Sequence, residues 1–102
     1  MRIIKESFLR DAAKQYPKAA KFLAAWTKTV RSTNWTSLEA VRKFYPRADM
    51  VRVSSGKSVL VFDVCGNAYR LIVAIHFDRQ RVYTLRFLTH AEYSKERWKS
   101  EL

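Results

Sequence analysis

Val59-Leu60-Val61-Phe62-Asp63-Val64, Cys65-Gly66-Asn67, Tyr69-Arg70-Leu71-Ile72-Val73-Ala74-Ile75-His76-Phe77, a polar break at Asp78-Arg79-Gln80, Val82-Tyr83-Thr84-Leu85-Arg86-Phe87-Leu88 and Thr89-His90-Ala91-Glu92-Tyr93 form the stretch that decides the fold. Its three apolar runs are short, rich in Val, Ile, Tyr and Phe, and bounded by turn-forming residues, so they predict a three-strand meander. Gly66 and Asn67 best tolerate a positive φ, which places the tight reversal on them. Thr89-His90-Ala91-Glu92 fits a capping box and predicts a helix starting at His90. That puts His90 in the first turn, with Tyr93 three residues on and on the same side. The free N–H groups and positive dipole end of such a turn favour a phosphate and disfavour an imidazolium. The same pattern also fits a plain surface histidine beside a cap. Arg70 and Arg86 stand inside apolar strands, where a sheet that served only for packing would have no need of them.

Upstream, Arg2-Ile3-Ile4 reads as a short strand. From Ser7 the residues Phe8, Leu9, Ala12, Ala13 and Tyr16 recur at helical spacing. Pro17 ends that helix and is suited to open the next, in which Ala19, Leu23, Trp26 and Val30 form one stripe. Thr36-Ser37-Leu38-Glu39 repeats the capping-box pattern before Leu38, Val41 and Phe44, and Pro46 stops this short helix. Arg47–Met50 reads as a loop, Val51-Arg52-Val53 as a first meander strand, and Ser54–Ser58 as a turn. Gly56-Lys57 lacks the long glycine loop of a nucleotide-binding P-loop. The fold class is therefore α+β: an N-terminal strand and helix pair packed on an antiparallel meander sheet, with a short C-terminal helix and the other sheet face partly free. At 102 residues the chain is read as a single domain, 1–102.

Twenty Lys and Arg against nine Asp and Glu give a formal net charge of +11. That much like charge repels itself, and the common reason to carry it is a polyanionic partner, most often nucleic acid. A membrane surface would instead want the cations on one amphipathic helix or in a block, and here they are spread along the chain. Cys65 is the only cysteine, so an internal disulfide is excluded and a reducing cytoplasm is expected. No run approaches the roughly 20 apolar residues of a membrane span. His76 and His90 are the only histidines and no ligand cluster joins them, so neither a metal nor another cofactor is expected.

Val61-Phe62-Asp63-Val64-Cys65-Gly66-Asn67-Ala68-Tyr69-Arg70-Leu71-Ile72-Val73, followed by Leu85-Arg86-Phe87-Leu88-Thr89-His90-Ala91-Glu92-Tyr93, resembles the HigB-type toxins of the RelE-like superfamily. The early helix pair and Trp35, Leu38 and Phe44-Tyr45-Pro46 extend the resemblance over nearly the whole chain. It implies a RelE-like fold and an mRNA endoribonuclease of a type II toxin–antitoxin pair, acting on translating ribosomes. It also implies a HigA-like helix-turn-helix antitoxin that neutralises the toxin, with operator DNA reached only through that antitoxin. Cys65 departs from the pattern, standing where the family often has a second glycine. RelE-like folds also serve gyrase-directed toxins, so fold alone leaves a protein-directed toxin or a non-catalytic RNA- or ribosome-binding module open.

Metal-free RNA cleavage needs a group to take the 2′-OH proton, cations for the charge building on the phosphoryl oxygens, and a proton for the leaving oxygen. Arg70 and Arg86 offer forked donors and Lys57 a mobile point charge. His90 can give or take a proton near neutral pH, and Tyr93 can donate a hydrogen bond or stack on a base. Asn67, Lys57, Arg79, Arg81 and Lys95 complete the candidate RNA contacts. Arg70 and Arg86 share a sheet face only if the connection between their strands holds an odd number of residues. An odd connection is expected, because Tyr69, Leu71, Val73, Ile75 and Phe77 would then join Tyr83, Leu85 and Phe87 on the buried face. The alternative for Arg86 is an ion pair with Asp63 or Glu92.

Overall fold

Alternation of side chains along the strands sets the architecture of the computed structural model, which describes residues 1–102. β1 (Arg2–Ile4) is followed by α1 (Glu6–Gln15), a 3₁₀ turn (Pro17–Ala19), α2 (Ala20–Ser32) and α3 (Leu38–Phe44). Then come β2 (Asp49–Arg52), β3 (Ser58–Val64), β4 (Tyr69–His76), β5 (Arg81–Thr89), α4 (His90–Ser94) and α5 (Arg97–Glu101). The sheet order is β1-β5-β4-β3-β2. β2 to β5 form the expected antiparallel meander, and β1 joins it parallel to β5, making the sheet mixed.

One face carries the main core. Leu60, Phe62 and Val64 of β3, Leu71 and Val73 of β4 and Val82 of β5 meet Leu9 and Ala12 of α1 and Leu23, Trp26 and Val30 of α2. Ala19, Leu23, Trp26 and Val30 are all buried, as their spacing predicts. The Trp26 ring packs edge-on against Phe62 at 5.6 Å. The second face is covered in part by α5, whose Trp98 packs with Val53, Val59, Val61 and Ile72.

Several local expectations are corrected. Ser37, not Thr36, caps α3, its hydroxyl accepting from the Ala40 N–H, so Glu39 stands one position too early to close a box. Phe44 leaves the apolar stripe and is 54% exposed, resting on Trp35 at 6.0 Å. Asp49 and Met50 belong to β2 because they pair with Val61 and Leu60. The C-terminal helix is two short helices, interrupted where Glu96 takes a φ of 59°. The capping box at Thr89 forms in full: Thr89 Oγ1 accepts from the Glu92 N–H and Glu92 Oε1 from the Thr89 N–H.

The β4–β5 connection, Phe77–Gln80, holds four residues between the paired His76 and Arg81, so the expected odd number is wrong. Arg70 and Arg86 nevertheless share a face, because Ile72 pairs with Arg86 while Val73 pairs with Thr84, leaving Leu85 as a bulged extra residue. Below the bulge the helix-facing residues are Val82 and Thr84, not Tyr83 and Leu85. Tyr83 stands against His76, and Leu85 joins the second cluster.

Between Val64 and Tyr69 the positive φ values fall on Cys65 (54°) and Gly66 (66°), not on Asn67. Cys65 thus occupies a left-handed conformation that suits glycine. Cys65→Gly should leave stability unchanged or raise it by up to about 1 kcal/mol, whereas β-branched Cys65→Val should lower it by about 1–2 kcal/mol. Urea unfolding of the two variants measures the difference.

Candidate active site

Because Val64 pairs with Tyr69, Asp63 and Arg70 stand directly opposite each other on β3 and β4, facing away from the main core. Arg70 is only 8% exposed. Its Nε lies 3.1 Å from Asp63 Oδ1, Nη1 donates to the Tyr69 carbonyl at 3.0 Å and Nη2 to Asn67 Oδ1 at 3.1 Å. A guanidinium has five N–H donors, so these three contacts hold it and leave two for a ligand.

Tyr93 reaches the same place from the other end of the sheet's meander. Its ring lies 5.4 Å from the Arg70 guanidinium carbon, close enough for a cation–π contact. The third wall is the α3–β2 connection. Tyr45 ends α3 and anchors edge-on against Phe62 at 5.3 Å, and the Arg42 Nε–H donates to the Ala48 carbonyl at 2.9 Å. Pro46, Arg47 and Asp49 are thereby held facing Asp63, Arg70 and Tyr93 across a cleft of about 560 Å³.

Three guanidinium groups and two carboxylates line this cleft. Arg47 lies 3.9 Å from Asp63 Oδ2, and Arg42 3.9 Å from Asp49 Oδ1. Both pairs are long, so each holds its arginine weakly: Arg47 is free to turn to a phosphate, while Arg42, tethered through its Nε to the Ala48 carbonyl, can redirect only its terminal nitrogens. The cleft thus combines a fixed cation, Arg70, with a tethered one, Arg42, and a mobile one, Arg47. Burial, reinforced by the Asp49 and Asp63 carboxylates and opposed by Lys99 and Arg70, raises the Tyr93 phenol above its ordinary 10.0. At neutral pH it is a hydrogen-bond donor, not a base.

The other sequence-derived candidates are dispersed. His90 is exposed at the start of α4 and is not among the residues lining the cleft: its backbone N–H donates to the Ala68 carbonyl at 3.0 Å, beside Asn67, and its imidazole has no internal hydrogen bond. Lys95 is exposed just after α4. Arg86 points to α5, with Nε 3.5 Å from Glu101 Oε1, not to Asp63 or Glu92. Lys57, Arg79 and Arg81 lie at the opposite end of the sheet; Lys57 is six residues before Asp63, about 20 Å along an extended strand. Sequence reasoning missed Arg42, Arg47 and Asp49, and it placed Asp63 only as a partner for Arg86. Asp63 was findable: a reversal pairing Val64 with Tyr69 puts it opposite Arg70. The side chains of His, Cys, Asp and Glu form no group of three that could hold a metal ion, and no helix is long and apolar enough to cross a membrane.

Residues 19–96, which include the whole cleft, match the family model described as HigB_toxin, RelE-like toxic component of a toxin-antitoxin system. The chain is 30% identical over 95 residues to an mRNA interferase HigB of Escherichia coli O6:H1, covering 93% of this chain and 90% of that protein. It is 29% identical over 93 residues to the mRNA interferase toxin HigB of Escherichia coli K12, covering 91% and 88%.

The raised Tyr93 phenol has a measurable sign. Above pH 10 the unfolded chain releases this proton while the folded chain retains it, so the contribution to stability is constant below that pH and falls as pH rises through the folded value. Tyr93→Phe should make the alkaline loss of stability shallower and remove one late-ionising tyrosine from an ultraviolet titration, leaving Tyr45, which burial also raises.

Proposed function

The chain belongs to the HigB family, RelE-like toxic components of toxin–antitoxin systems, and on that premise we propose that it cleaves mRNA in the Arg70 cleft. The observation that carries this reading is the Arg70 guanidinium, fixed by three contacts with two donors to spare, under an aromatic ring and beside two loosely paired arginines. That arrangement suits a phosphodiester with an adjacent base. The ribose 2′-oxygen attacks phosphorus, the bond to the 5′-oxygen breaks, and Arg70 meets the negative charge growing on the phosphoryl oxygens. Arg42 and Arg47 leave their carboxylates to hold the flanking phosphates, and Tyr93 donates a hydrogen bond or stacks on a base.

Proton transfer is assigned to His90, whose imidazole is exposed and free of internal partners at the start of α4, three residues before Tyr93. The reaction needs no metal or other cofactor. In this reading residues 1–102 act as one cytoplasmic domain on mRNA engaged by the ribosome. A helix-turn-helix antitoxin neutralises the domain and links it to operator DNA, and no membrane is involved. The +11 charge supports a polyanionic target.

Controlled expression with mapping of mRNA ends tests this. His90→Ala and Arg70→Ala should fold, bind antitoxin and ribosomes, and lose about 10²–10⁴-fold in cleavage. Arg70→Lys should rescue poorly, because one ammonium cannot keep three contacts and still present a fork. New mRNA ends at wild-type levels in a folded double variant would instead favour a site elsewhere on the chain. Binding of RNA or ribosomes should weaken steeply from low to moderate salt as counterions return to the phosphates.

A further inference from the structure

α4 has five residues and buries none of them, so it cannot hold a side chain in place by itself. Tyr93 sits on this helix, yet the cleft needs its ring at a defined place against Arg70. The support comes from the next helix. The Trp98 indole stacks on the Tyr93 ring at 5.3 Å with 17° between the planes, and its Nε1–H donates to the Tyr93 carbonyl at 3.1 Å. Trp98 itself is 2% exposed, held in the second apolar cluster by Val53, Val59, Val61 and Ile72. The Glu96 N–H also donates to the Tyr93 carbonyl, at 3.1 Å, where the chain reverses with a positive φ.

α5 is tied to the body of the protein at two further points. The Ser54 N–H donates to the Lys99 carbonyl at 3.0 Å, and Arg86 pairs with Glu101 at 3.5 Å. We propose that Trp98 is a positioning residue for the cleft: it fixes the Tyr93 ring against the Arg70 guanidinium through one stacked face and one hydrogen bond. A leucine could fill the same cluster but could neither stack nor donate. Trp98 lies outside the span matched by the family model. Its assignment rests on the reading of the cleft as the cleavage site, and it adds a residue that touches no substrate.

The test is a double-mutant cycle in purified protein, with a synthetic mRNA on programmed ribosomes as substrate and urea unfolding run alongside. Trp98→Leu should fold and bind substrate with KM within twofold, while kcat falls about tenfold or more, as expected when a contributing group is displaced. Trp98→Phe keeps the stack and loses the hydrogen bond, so its loss should be smaller, about fivefold. In a Tyr93→Ala background either Trp98 change should cost nothing further, because the group being positioned is gone. A full kcat in folded Trp98→Leu, or a loss that persists in the Tyr93→Ala background, overturns the proposal. If Trp98→Leu does not fold, Trp98→Phe carries the test by the same two criteria. Arg70→Ala runs in parallel: cleavage retained there refutes the cleft itself, whereas cleavage lost there and kept in folded Trp98→Leu refutes only the role of Trp98.

Discussion

The pair of Asp63 and Arg70 governs the second face of the sheet. Placing a guanidinium among strands takes it out of water, and only a close opposite charge with well-directed acceptors offsets that cost. The β3–β4 register supplies the carboxylate directly across, and Asn67 and the Tyr69 carbonyl take two more donors. Everything else in the cleft is arranged relative to this fixed point. Tyr93 lies against it, Arg47 shares its carboxylate, and the α3–β2 connection lines the cleft beside it. A cation of this kind is preorganised, so little reorganisation is needed when charge develops on a substrate.

Much of the fold was legible because its signals are local. The stripe through Ala19, Leu23, Trp26 and Val30, the alternation in β3 and β4, and the Thr89 capping box each depend on residues within a few positions of one another. Arg70 and Tyr93 were legible for the same reason, as polar groups in or just after apolar strands. The bulge at Leu85 was not, because two neighbouring residues on one face look like ordinary strand sequence until the partner strand is known. The cleft's third wall was hidden for a different reason. Arg42, Arg47 and Asp49 acquire meaning only when α3 is docked by Tyr45 against Phe62, a contact between segments far apart in the chain.

Among the twenty cations, those at the two ends of the sheet differ in how they are paired. The cleft end holds arginines that are paired, tightly or loosely, with carboxylates. The opposite end carries Lys57, Arg79 and Arg81, none of which has an ion-pair partner. Paired cations near the cleft contribute contacts at short distance, while the unpaired ones add to a field that acts over roughly a Debye length, about 8–10 Å at physiological salt.

The bulge in β5 gives one strand two phases. Its lower half, through Val82 and Thr84, answers to β1 and the helices; its upper half, through Arg86 and Leu88, answers to the face that Arg70 occupies. The extra residue works as a slip joint between them. Without it, the pairing set by the four-residue Phe77–Gln80 connection would turn Arg86 and Leu88 toward the helices; with it they stand on the face of Arg70, and the strand ends at Thr89, where α4 begins. One strand thus serves both faces of the sheet, packing the helices at one end and carrying the start of α4 beside Arg70 at the other.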